Sequence, residues 1–147
     1  MKHAAVVLND LLKISEECID QSTDAVSSAG ELHAKALLAT TQKQFKRHGG
    51  VLKREIQQIV IKPDEEDLRN GSIYQFWIDL NASITPQESQ TVVAAYEYRV
   101  DAAQAAYQLA MCDGAIPAYV HRLIQEQHQE LQKVHQAVSA LLKSDVS

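Results

Sequence analysis

Apolar residues recur through most of this chain at intervals of three and four, the period of a helix that hides one face. The pattern is most regular between Pro117 and Lys143, where Val120, Ile124, Leu131, Val134, Val138 and Leu141 share one stripe with a single polar residue, Gln127, in its middle. At about 100° per residue, His121, His128 and His135 fall along one flank of that stripe, with His135 nearest its apolar centre. From Ala4 to Val26 the inward set is Val7, Leu11, Ile14, Cys18, Ser22 and Ala25. From Glu31 to Ile59 it is Leu38, Thr41, Phe45, Leu52, Ile56 and Ile59, and after Thr85 it is Val93, Tyr96, Val100, Ala103, Tyr107 and Ala110. Four long helices, each with one buried face, are the expected elements, and the fold class is all-α.

The connections set the topology. Ser27-Ser28-Ala29-Gly30 and Cys112-Asp113-Gly114-Ala115-Ile116-Pro117 are short turns, with Gly30 and Gly114 expected in the left-handed conformation past a helix end and Pro117 in a new first turn. Between Val60 and Thr85 the helical pattern breaks. Pro63-Asp64-Glu65-Glu66-Asp67 reads as an exposed acidic turn, Asn70-Gly71-Ser72 as a loop, and Ile73 to Ile84 as a short amphipathic helix in which Trp77 anchors the crossover to the core. Thr85-Pro86-Gln87-Glu88 has the form of a capping box that opens the third long helix. The crossover is long enough to return along the bundle, so that the second and third long helices run parallel. Short turn, long crossover and short turn make a ferritin-like four-helix bundle, with a short helix carried in the crossover. Gly49-Gly50 inside the second helix costs roughly 2 kcal/mol relative to alanine, for which a kink, a bulge or a close backbone approach is the expected reason.

Composition narrows the function classes. The 147 residues, 46% hydrophobic and 22% charged, form one globular domain over 1–147. A net charge of −5 gives no attraction for a nucleic-acid backbone. The bases Lys43, Lys46, Arg47, Lys53 and Arg54 read as a solvated helix face, so nucleic acid is not an expected partner. Two cysteines, Cys18 and Cys112, make neither a disulfide framework nor a zinc motif and fit a reduced, cytoplasmic compartment. Ala4 to Leu8 is too short for the apolar region of a signal peptide and no run approaches the length of a membrane span, so neither a leader nor a membrane segment is expected.

Leu8-Asn9-Asp10-Leu11-Leu12, Phe76-Trp77-Ile78-Asp79-Leu80, and the pair Gln127 and His135 together resemble an uncharacterised bacterial domain family related to ferritins and rubrerythrins. The resemblance runs from about Val7 to Leu142. It implies a ferritin-like bundle with no established biochemical role, of a kind associated with stress response or metal handling. In one place the chain departs from it: Tyr98-Arg99-Val100-Asp101 has Val100 where the resemblance implies an acidic residue.

A ferritin-like di-iron centre takes a Glu from each of two helices and a Glu-x-x-His from each of the other two. No Glu-x-x-His occurs here; Gln125-x-x-His128 and Gln132-x-x-His135 replace the carboxylate with an uncharged amide. Glu16, Glu17 and Asp20 point away from the stripe of the first helix. A lone iron or other divalent ion held by His48, Glu55, Glu97 and His135 is one alternative, although no cofactor is expected. The favoured reading makes Gln127, His135, Tyr96 and Tyr107 a set of buried polar groups that satisfy one another and fix helix register, with His121 and His128 only on the flank. A weaker alternative is a phosphotransfer histidine at His48-Gly49-Gly50, with Lys46, Arg47 and Lys53 nearby to steady a phosphoryl group. No nucleophile elbow, P-loop or dinucleotide fingerprint supports an enzyme. The chain therefore reads as a non-catalytic, stress-related binding or structural protein that acts through a protein partner or self-association.

Overall fold

The computed structural model describes residues 2–28, 30, 32–85 and 91–146, and side chains in that set other than those of 32–34, 138 and 141–146. All regular structure among them is helical: α1 (Lys2–Ser28), α2 (Leu32–Gln58), α3 (Glu65–Arg69), α4 (Ser72–Ala82), α5 (Val92–Met111) and α6 (Ala118–Val146). The four long helices pack as a square in which α1 and α6 each lie against both α2 and α5, while α4 lies over α1 and α5. None of the described helices is long and apolar enough to cross a membrane.

Side-chain contacts fix the directions. Gly49 abuts Leu12, and the Gln42 amide donates to the Ile19 carbonyl at 3.4 Å, so α2 descends as α1 rises. Tyr107 meets Gln127, and His121 meets the Met111 carbonyl, so α6 runs against α5. Tyr96 lies by Ser22 and Tyr107 by Ser15, which sets α5 against α1. The second and third long helices, α2 and α5, therefore run the same way, as the long crossover requires.

All six stripe residues expected on the first helix are buried, and so are Leu38, Thr41, Phe45 and Leu52 of α2 and Tyr96, Val100, Ala103, Tyr107 and Ala110 of α5. Small residues on α5, namely Ala102, Ala103, Ala106 and Ala110, let it pack closely while Tyr96 and Tyr107 fill the centre. Trp77 is buried under the crossover as expected, and its indole N–H donates to the Arg99 carbonyl at 3.4 Å.

Several local expectations are corrected. The acidic run is not a bare turn: Asp64 caps α3, and Asp67 completes a capping box with it. Three acidic residues in the first turn suit the positive end of that helix. Gly114 does not have positive φ, and Cys112 ends α5 in right-handed geometry. The flanking residues that would define the Gly30 turn, Ala29 and Glu31, lie outside the described residues, as do Pro86, Gln87 and Glu88. α5 begins at Val92 with Thr91 as its cap, the Thr91 hydroxyl accepting the Ala94 N–H at 3.0 Å. α2 continues through Gly49-Gly50 with no backbone pressed against either glycine. A Cβ at Gly49 would meet only the Leu12 methyl at 3.6 Å, and one at Gly50 would meet open space.

Candidate functional site

Inward polar positions on three helices join into one line. The Tyr107 hydroxyl on α5 donates to Gln127 Oε1 on α6 at 2.7 Å. Gln127 Nε2 in turn donates to the backbone carbonyl of His48 on α2 at 3.3 Å. The His48 ring, 2% exposed, directs Nε2 at Glu130 Oε2 of α6, 3.1 Å away. Gln44 Nε2 donates to the same carboxylate at 3.0 Å, and Arg47 pairs with it. A neutral centre thus connects to a charged, half-open end.

Burial holds the His48 imidazole below its usual range, against the pull of Glu130. The Glu130 carboxyl is lowered, first by its bond from His48 and then by Arg47. The two directions agree on one arrangement, in which neutral His48 carries its hydrogen on Nε2 and donates that N–H to an ionised Glu130. Burial pushes the phenols of Tyr96 and Tyr107 and the thiol of Cys18 upward, so these groups are neutral at physiological pH.

The expected site residues separate into two groups. Gln127 and Tyr107 meet, but neither His135 nor the Tyr96 hydroxyl is bonded to them. His135 sits further along α6, its Nε2 3.7 Å from Asp101 Oδ1, and shares a groove with Glu97, Tyr98 and Asp101. A small pocket on its other side is lined by Thr41, Tyr96, Glu97 and Val100. The four metal candidates are therefore divided: His48 answers to Glu130, Glu97 lies with His135, and Glu55 is half-exposed on α2. Among the described residues no three His, Cys, Asp or Glu side chains converge as a cation site. His128, expected on the flank, is 8% exposed and more deeply buried than His135. For phosphotransfer, the buried His48 ring offers an incoming phosphoryl group no open nitrogen, and a carboxylate already occupies its Nε2 side.

Three partners were not foreseen. Glu130 and Gln44 face each other across α2 and α6, and that register is not written in either helix alone. Asp10 is fully buried on α1 and accepts the Tyr74 N–H at 3.2 Å, capping α4 from another helix where Gly71 offers no side chain. Its position three residues after Val7 and four before Ile14, inside the apolar period, was the available signal.

Fold and site define an all-helical bundle with a neutral polar line at its centre. The chain belongs to a family described as a domain of unknown function (DUF2383), whose model matches residues 3–113, from α1 to the end of α5. None of the curated proteins compared matches the chain.

Proposed function

We propose that this chain is a ferritin-like bundle without an intact di-iron centre, serving as a stress-related binding or structural protein in a reduced cytoplasmic compartment. The observation that carries this reading is the Tyr107–Gln127–His48 line, which fills the inward space between α2, α5 and α6 with neutral donors and acceptors bonded to one another. Two hard cations need several charged oxygens; Tyr107, Gln127 and His48 supply none, and among the described residues the one carboxylate bonded to the line is Glu130, at its half-open end. The residues present do not fit a di-iron group. The bonded line instead locks the register of three helices, a role in which buried polar groups are well attested.

A second reading, a residual single-metal protein, draws on one observation: His135, Glu97 and Asp101 border one groove between α5 and α6. Elemental analysis of protein purified without chelators, followed by anaerobic Fe(II) titration and exposure to air, separates the two. The structural reading expects no stoichiometric metal and no oxidation band. Stoichiometric iron that is lost in His135→Gln and retained in Tyr107→Phe would replace it with the second.

A further inference from the structure

The outer face of the α1–α2 pair carries charge of both signs in separate stripes. Glu16 and Asp20 are exposed one turn apart on α1, and Lys43 and Lys46 are exposed one turn apart on α2, with Lys53 and Arg54 continuing the basic stripe. The net charge is −5, so a basic helix face is set against the balance of the whole chain. Among the described residues no ion pair involves any of these six side chains. The levels are fixed by the contacts between the two helices. Leu12 abuts Gly49, while Gln42 reaches the Ile19 carbonyl and the Thr23 hydroxyl, both at 3.4 Å. At about 1.5 Å rise per residue, Glu16 then stands level with Lys46, and Asp20 with Lys43.

A face with this layout complements itself. Rotation by half a turn about an axis in the contact plane, parallel to the two helices, lays a second copy's α1 over α2 and its α2 over α1. Levels are preserved, so Glu16 meets the partner's Lys46 and Asp20 meets the partner's Lys43, each pair occurring twice. A polyanion fits this surface poorly, because the acidic stripe lies directly beside the basic one and repels it. We infer that the outer α1–α2 face docks a second copy of this chain in a two-fold, charge-matched dimer. The surface is separate from the buried polar line, and the inference stands whether or not metal binds between α5 and α6.

Sedimentation of the full chain tests it. The wild type is expected to be dimeric at low salt and to dissociate towards about 0.5 M salt, where screening shortens to a few Å. Glu16→Lys with Asp20→Lys, and separately Lys43→Glu with Lys46→Glu, change only exposed positions, and circular dichroism checks that the helices are kept. Each doubly reversed variant faces its own like charge and should self-associate at least about tenfold more weakly. An equimolar mixture of the two restores every opposite-charge pair and should recover the dimer. A wild type that stays monomeric at low salt, reversed variants that dimerise as tightly as the wild type, or a mixture that stays monomeric would overturn the inference. So would capture of a short oligonucleotide that is lost in the lysine variant and unchanged in the acidic-stripe variant.

Discussion

Two regions of this bundle bury polar groups, and they do so by opposite means. Under the crossover, α1 takes a carboxylate into the interior: Asp10 holds the first turn of α4, Lys13 donates to the Leu68 carbonyl at 3.1 Å, and Glu17 accepts the Tyr74 hydroxyl at 2.7 Å. Between α2, α5 and α6 the interior line is neutral, and charge appears only at its half-exposed end on Glu130. A buried carboxylate is tolerated where the amides of a helix start receive it. Burial still dominates and raises the Asp10 carboxyl, with the Tyr74 amide, Lys13 and the Ile73 amide opposing in that order. The neutral line avoids that penalty because its desolvated groups bond to one another.

The sharpest way to break the contrast is Gly71→Ala. A Cβ there would run into the Asp10 carboxylate, and displacing the cap while overfilling the site should destabilise the protein by about 2–3 kcal/mol in urea denaturation. Adding Asp10→Ala to that variant should return part of the loss, and strict additivity of the two changes would refute the contact. Tyr107→Phe tests the neutral line. It leaves Gln127 Oε1 without its donor and should cost about 1–2 kcal/mol, whereas Tyr107→Phe combined with Gln127→Leu should cost less than the sum of the single changes.

Gly50→Ala asks whether α2 needs its glycine next to the line. Open space at the Cβ position and helical backbone predict about 1 kcal/mol of added stability, read as a raised melting temperature. The gentlest perturbation is pH. Burial lowers both His48 and His128, so the unfolded chain binds their protons first as pH falls. Stability from these two groups is complete above the ordinary histidine value near 6.5 and declines below it. Asp10, raised in the fold, works the other way, and acid relieves it as pH falls towards the usual carboxylate range. The urea midpoint should therefore fall from pH 7.5 to pH 5.5, and His128→Gln should flatten the decline; a midpoint that rises between these two values would contradict the assignment.

Much of the architecture was legible because it depends on local period. Val7, Leu11, Ile14 and Cys18 are inward as their spacing requires, and α2 and α5 run parallel because the crossover is long enough to return. Local chemistry was less certain where two local rules compete. Pro63 to Asp67 reads as an acidic turn, yet Asp and Asn cap helices as readily as they make turns, and the folded chain forms the capping box.

The sequence by itself determined four long helices, their inward faces, the inward place of Gln127 and Tyr107, and the absence of a Glu-x-x-His pair. These follow from the geometry of one helix, which any stretch of chain carries with it. Only the tertiary structure decided that His48 faces Glu130, that His135 stands with Glu97 and Asp101, and that Asp10 caps a helix it does not belong to. Each of those pairings joins residues on different helices, and the axial offset between helices is set by the packing of whole faces against one another, a quantity no single helix contains.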